Sequence, residues 1–264
     1  MREAPSISRE PLLVAEGVSV RFGRIEAVAD ASFSLWPGEV LAIVGESGSG
    51  KTTLLRALHG DIALESGRVL YRAASGETVD VHRMPEPQRR TLARTEWGFV
   101  HQNPRDGLRM AVSAGGNVGE RLMAAGARHW GRIRAEAAAW LARVEIDAAR
   151  IDDPPRTFSG GMQQRVQIAR VLVTRPRLVL MDEPTGGLDV SVQARLLDLI
   201  RTLVGELGIA AVIVTHDLAV ARLLADRMLV MQRGRIVEAG LTDQVLDDPQ
   251  HPYAQLLVSS VLQA

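Results

Sequence analysis

Gly45-Glu46-Ser47-Gly48-Ser49-Gly50-Lys51-Thr52 fits the pattern G-x-x-x-x-G-K-[ST], and its flanks decide the fold. The preceding run Val40-Leu41-Ala42-Ile43-Val44 is short, apolar and β-branched, which reads as a buried strand. The following run Thr53-Leu54-Leu55-Arg56-Ala57-Leu58 has helical spacing and no breaker. Strand, glycine loop and helix make a phosphate cradle. Gly45, Gly48 and Gly50 let backbone N–H groups turn toward an anion, and the helix N-terminus adds its positive end. Ser47, Ser49 and Thr53 belong to the same predicted binding stretch. Lys51 is expected to reach the β- and γ-phosphates of a nucleotide, and the Thr52 hydroxyl to ligate Mg²⁺. Among 31 Lys+Arg residues Lys51 is the only lysine, and a compact ammonium suits a phosphate crevice better than a planar guanidinium.

The 264 residues suffice for one large α/β domain or two small ones. Hydrophobic content of 46% and charged content of 23% are ordinary for a globular protein. A formal net charge of zero gives no bulk attraction to nucleic acid or to an anionic membrane, and no nucleic-acid partner is expected. With no cysteine, disulfides, thiolate chemistry and cysteine-ligated metals are excluded. Residues 1–10 are charged and polar without the apolar core of a secretory signal, and no apolar run is long enough to span a bilayer. A cytoplasmic protein without direct membrane insertion is the expectation.

Strands are predicted at 12–15, 18–22, 32–35 and 67–71, with a turn at Trp36-Pro37-Gly38-Glu39. Residues 72–86 read as a polar loop and 89–95 as a helix; a strand at 97–101 then delivers Gln102 at its exit. From 117 to 144 the pattern is helical and Ala-rich, with Leu122, Met123, Ile133, Ala137, Trp140 and Leu141 on buried faces. Asp152-Asp153-Pro154-Pro155 breaks it, and a second helix opens after Ser159-Gly160-Gly161. Buried strands are predicted at 178–181 and 211–214, and a hairpin pairs 228–231 with 235–238 around Arg233-Gly234. Thr242 is placed to cap the next helix and Pro252 to open the last. Strands alternating with helices imply an α/β fold, with a mostly parallel sheet and a site at its C-terminal strand ends. The Ala-rich stretch interrupts that alternation. The reading is a single domain, 1–264, with an inserted helical subdomain near 103–174 and a C-terminal helical extension over 241–264.

The apolar run at 178–181 ends in Asp182-Glu183. Asp182 suits a metal-holding carboxylate beside a phosphate loop, and Glu183 could accept a proton from an attacking water. Val214-Thr215-His216 repeats the layout and puts His216 near the γ-phosphate. Gln102 could ligate Mg²⁺ through its carbonyl or orient water without adding charge. Ser159-Gly160-Gly161 makes a second helix N-terminus suited to an anion, which suggests phosphates held between two protomers.

Taken in order, Gly45–Thr52, Gln102, Ser159-Gly160-Gly161, Asp182-Glu183, Asp189 and His216 resemble the Walker A, glutamine loop, signature, Walker B, D-loop and switch histidine of ABC-type ATPases. The resemblance implies a P-loop (RecA-like) core with an N-terminal antiparallel β-subdomain and an inserted α-helical subdomain. It also implies ATP and Mg²⁺ as cofactors, and a head-to-tail homodimer in which ATP lies between Walker A of one copy and the signature of the other. Phe22 falls where the family stacks an aromatic on adenine. Two departures stand out. Phe158 and Met162 flank the signature where the family usually has Leu and Gln, and Gly186-Gly187 replaces a common Ser-Ala in the D-loop. Slower or partner-dependent hydrolysis is expected from the missing D-loop serine and the looser backbone.

The runs 94–98, 112–123 and 184–195 further resemble the ATP-binding components of the bacterial carbon–phosphorus lyase system. That resemblance implies motion acting on the soluble lyase core, with a second ABC-type companion as a further partner. Met162 and Asp248-Pro249-Gln250-His251-Pro252-Tyr253 also resemble the ATPases of oligopeptide-type importers, which would grip a membrane permease instead. The run 112–123 tilts the reading toward the lyase. A DNA-repair role is disfavoured by the missing long coiled-coil insertion, and a binding-only scaffold by the intact catalytic positions.

Overall fold

The computed structural model describes residues 10–262. In chain order it contains β1 (Leu13–Phe22), β2 (Ile25–Leu35), β3 (Val40–Val44), α1 (Lys51–His59), β4 (Ser66–Arg72), β5 (Thr78–Asp80) and α2 (Glu86–Thr95). Next come β6 (Trp97–Val100), α3 (Pro104–Gly107), α4 (Ala114–Ala124), α5 (Trp130–Arg143), α6 (Gly160–Leu172) and β7 (Leu178–Asp182). The chain closes with α7 (Val190–Leu207), β8 (Ala210–Thr215), α8 (Leu218–Leu224), β9 (Arg227–Gln232), β10 (Arg235–Leu241), α9 (Thr242–Asp247) and α10 (Pro252–Leu262).

Among the described residues the strands form two sheets. The first is antiparallel, in the order β2-β1-β4-β5. The two strands predicted at 12–15 and 18–22 are one strand, β1, with a register shift between Ala15 and Val18. Gly17 supplies the positive φ of 59° that the shift needs, and the extra residues let Leu13, Ala15, Val18 and Val20 all face the core. Residues 72–86 are not simply a loop. Thr78–Asp80 pairs with Leu70–Arg72 as β5, and α2 starts at Glu86 rather than at 89. Three residues with one part-buried valine carry too little alternation to be seen in sequence.

The second sheet has the order β10-β9-β3-β8-β7-β6 and is parallel except for β10, which returns on β9 through the Arg233-Gly234 turn. Its register aligns Val44 with Thr215, Asp182 with Val214, and Val100 with Met181. The residues that leave β3, β6, β7 and β8 therefore emerge at one edge.

Alternation along these strands divides the core. Leu178 and Leu180 join Leu41, Ile43, Val212 and Val214 against α1 and the antiparallel sheet. Val179 and Met181 face the opposite way, with Ala211 and Ile213, against α6, α7 and the helices that precede α6. A third cluster packs Ala42, Val44, Met228 and Val230 under α8, α9 and α10.

The helical stretch predicted as continuous over 117–144 is two helices, because Gly126 takes φ 109° and ends the first. Ile133, Ala137, Trp140 and Leu141 are buried as expected, but Met123 lies near the end of α4 and is 39% exposed. Asn117, passed over in the sequence, is fully buried. It accepts from Arg109 N and donates to the carbonyls of Arg109, Val112 and Ser113, fixing the turn into α4. Thr242 is not a cap: Leu241 holds the cap position, Thr242 is the first helical residue, and its buried hydroxyl has no partner among the described residues. Among the described residues no helix is long and apolar enough to cross a membrane.

Candidate functional site

The aligned ends of β3, β7 and β8, with α1, open onto a cleft of about 810 Å³. Ser47, Gly48, Gly50, Lys51, Thr52, Thr53, Gln102, Glu183 and His216 line it. Gly45 and Ser49 sit beneath that floor. A side chain at Gly45 (φ 148°) would put its Cβ 2.2 Å from Met231 O, and one at Gly50 (φ 103°) would lie 2.3 Å from Ala27 O. Both glycines are therefore required by close backbone approach and by positive φ. Lys51 Nζ donates to Gly45 O and Glu46 O, each at 2.7 Å, and lies 3.5 Å from Ser49 Oγ. Burial pushes the Lys51 ammonium below its ordinary pKa, while Glu183, Asp182 and Glu46 pull it back up. An ammonium held by two carbonyls and a hydroxyl in a crevice is poised for an anion.

Asp182 ends β7, is buried, and accepts a hydrogen bond from Thr52 Oγ1 at 2.9 Å. One residue on, Glu183 takes the unusual φ of 44°, held by its N–H to Val214 O at 2.9 Å. This turns its carboxylate toward His216, whose Nδ1 lies 2.8 Å from Oε1 and 2.7 Å from Oε2. The sequence placed each of these two side chains near a γ-phosphate; the structure also pairs them with each other.

Gln102 lines both this cleft and a neighbouring groove of about 380 Å³, whose walls include Gly160, Gln163, Gln164, Gly186 and Gly187. Ser159 caps α6, and it and Gly160 are exposed. Gly161 is buried against α7, where a Cβ would meet Val192 Cγ1 at 2.6 Å. Ser159, Gly161 and Asp189 line neither cavity. Asp189 is the exposed N-cap residue of α7, with no side-chain cap bond. Phe22 is likewise outside the cleft lining. It is 51% exposed at the tip of β1, and Ile25, its partner across the hairpin, lines the cleft instead.

Other lining residues were invisible to sequence reasoning: Glu26, Ala27, Arg233 and Gly234 arrive from two hairpins. Only the Arg233-Gly234 turn carried a local signal, and that signal announces a turn rather than a site. The unusual Phe158 also finds a partner. The Arg150 guanidinium lies 4.2 Å from its ring centroid, and Arg150 Nη1 lies 3.6 Å from Met162 Sδ, so one arginine engages both non-standard residues around the signature.

A family model described as ABC transporter matches residues 28–186. This chain belongs to the ABC ATPase family. It is 65% identical over 254 residues to an Escherichia coli (strain K12) protein named PhnK, for phosphonates utilization and ATP binding, covering 96% of this chain and 99% of that one. It is 38% identical over 270 residues to a Brucella ovis protein named for peptide import and ATP binding, covering 97% and 79%. Among solved structures it resembles the dimeric ATP-binding cassette MJ0796, bound to ADP and Pi in a post-hydrolysis state. The TM-score there is 0.77 and the identity 28%, over 87% of this chain and 98% of that one. It resembles cbiO1 from Clostridium perfringens with a TM-score of 0.78 and 29% identity, over 91% and 92%. The cassette fold expected from the motifs is therefore the observed one, and the chain is an ATP-binding ABC ATPase.

Proposed function

We propose that this ABC ATPase is the ATP-driven subunit of phosphonate breakdown, acting on a soluble carbon–phosphorus lyase core. Supporting this is the 65% identity to a protein named for phosphonates utilization, extending over 96% of the chain. The 38% identity to a protein named for peptide import supports a second reading, an importer ATPase docked on a membrane permease. The gap between the two values favours the first. Under either reading the chain works on the cytoplasmic side without inserting in the bilayer, and a second ABC-type companion fits the lyase reading.

ATP binding brings two copies together head to tail, a reading supported by the dimeric state of the MJ0796 cassette. Lys51 and the backbone N–H groups of the glycine loop hold the phosphates, with Ser47, Ser49 and Thr53 around them. The nearby oxygen donors fit Mg²⁺: the Thr52 hydroxyl, the buried Asp182 carboxylate 2.9 Å from it, and the amide carbonyl of Gln102 in the same cleft. Among the described residues no group of three or more His, Cys, Asp or Glu could cage an ion, which suits a metal that keeps waters and nucleotide phosphates as ligands. When bound, Mg²⁺ would neutralise charge between the β- and γ-phosphates. Glu183 accepts the proton of the attacking water, and His216 holds the Glu183 carboxylate in place and faces the γ-phosphate. Ser159, Gly160, Gly161 and Asp189 of a second copy close the site, and Phe22 moves onto the adenine.

The test is growth of a strain lacking this chain on a phosphonate as sole phosphorus source, with complementation by wild type or Glu183→Gln. The proposal expects growth only with wild type, and unimpaired growth of all strains on phosphate. Growth of the deletion strain on the phosphonate, together with failure to take up peptides, makes it an importer ATPase.

A further inference from the structure

We propose that Gln167, in the middle of α6, is a positioning residue that ties Gln102 to the signature helix. The proposal rests on the reading of Gln102 and Ser159–Gly161 as parts of one catalytic cycle.

Gln167 is 1% exposed on a helix whose neighbouring side chains, Val166, Ile168, Ala169 and Val171, are apolar and buried. A polar amide on such a face needs its own partners. Its Oε1 accepts the backbone N–H of His101 at 2.9 Å. Its Nε2 donates to His101 O at 3.1 Å and to Gln164 Oε1 at 3.0 Å, and Gln164 Nε2 reaches the same carbonyl at 3.4 Å. A peptide N–H can only donate, so the amide has one satisfactory orientation.

His101 is the first residue beyond β6, where the sheet ladder no longer supplies partners. Gln167 takes over both of its backbone groups. The chain then folds back around the same amide. A Cβ on Gly107 would sit 2.1 Å from Gln167 Oε1, so the segment between them passes through Gln102 and returns to contact. Gln102 is thus held at both ends of a short loop against α6. Just over two helical turns, about 12 Å at 1.5 Å per residue, separate Gln167 from the Ser159 cap. A shift of α6 when its N-terminus meets phosphates is transmitted to His101 as a rigid displacement, and with it to Gln102 at the mouth of the cleft.

The decisive variant, made in the 264-residue chain, is Gln167→Met, which fills much the same volume, leaves the His101 N–H unpaired and leaves His101 O only the longer contact from Gln164. We expect kcat for ATP hydrolysis to fall at least fivefold, with KM for ATP within twofold of wild type. In a Gln102→Ala background the same substitution should change kcat less than twofold, because the residue it acts through is already gone. If Gln167→Met melts too low to assay, Gln167→Glu keeps the length and the acceptor for His101 N–H but turns an oxygen toward His101 O, and should show the same pattern. Hydrogen exchange reads the link without turnover. In Glu183→Gln protein, ATP should slow exchange across residues 101–107 at least threefold, and Gln167→Met should abolish that slowing.

Wild-type kcat in Gln167→Met, equal loss in both backgrounds, or retained ATP-linked protection would overturn the proposal. Full turnover in Gln102→Ala would instead remove Gln102 from the site, and the underlying reading would fail first.

Discussion

The phenol oxygen of Tyr253 lies 2.9 Å from the backbone nitrogen of Glu46 and accepts its hydrogen bond. The two residues are 207 positions apart. Tyr253 is only 9% exposed and packs with Val44 and Val230, so the first turn of α10 lies against the glycine loop. Glu238 on β10 fixes that turn by accepting from Gln250 N and His251 N at 2.9 and 2.8 Å. The C-terminal extension is thereby part of the support of the glycine loop. Tyr253→Phe removes one neutral hydrogen bond, about 1 kcal/mol, and should weaken ATP binding about fivefold. Equilibrium nucleotide titration checks this, and wild-type affinity in Tyr253→Phe would refute it.

The buried ammonium of Lys51 sets a pH dependence. Its folded pKa lies below the ordinary lysine value of 10.5, mainly through burial. The folded chain therefore binds this proton less tightly than the unfolded chain. Below the depressed pKa both forms are protonated and the desolvation penalty is fully present. As pH rises from there toward 10.5 the folded state sheds the proton first and the penalty is relieved. Without nucleotide, wild type should gain stability relative to Lys51→Met over that alkaline interval. Denaturant melts of both proteins between pH 7 and pH 10.5 measure it.

Glu183→Gln keeps the shape of the carboxylate but not its basicity. Turnover should drop by a factor on the order of 10²–10⁴, the usual contribution of a general base, while ATP still binds. Phosphate release, with size-exclusion chromatography in ATP, should report a stalled dimer. A variant that turns over at the wild-type rate removes Glu183 as the base.

Arg150 connects the chain before the signature to both of its unusual residues. Arg150→Ala loses the contact over Phe158 and the contact with Met162, at a cost of about 1 kcal/mol, and Tm should fall by about 2–4 °C. In a Phe158→Leu background the cost of Arg150→Ala should shrink without vanishing, because Met162, Asp153 and Thr157 still engage the guanidinium. Calorimetry on the four proteins of this cycle decides it.

These contacts also mark where the sequence stopped being informative. The strands of the central sheet were legible because Leu178, Val179, Leu180 and Met181 form an unbroken apolar run, buried on both faces. The loop, the two carboxylates at the end of β7 and the histidine after β8 were legible because each stands at the end of such a run. Phe22 and Ser159–Gly161 fall outside the cleft lining, since their expected roles depend on nucleotide and on a second copy. Gln167, Tyr253 and Arg150 carried no local signal. Each acts across the chain on a group that gives no periodicity of its own: a peptide unit at His101, a backbone N–H at Glu46, a ring at Phe158. Met123 was misplaced because helical periodicity gives a face but not where the helix ends.

The most direct test of the proposed role is a pull-down of tagged Glu183→Gln protein with ATP, from cells grown on a phosphonate as sole phosphorus source. Soluble and detergent-extracted fractions are identified by mass spectrometry. The account predicts recovery of soluble subunits of the carbon–phosphorus lyase core. Recovery of a multispanning permease in their place would contradict it and make the chain an importer ATPase.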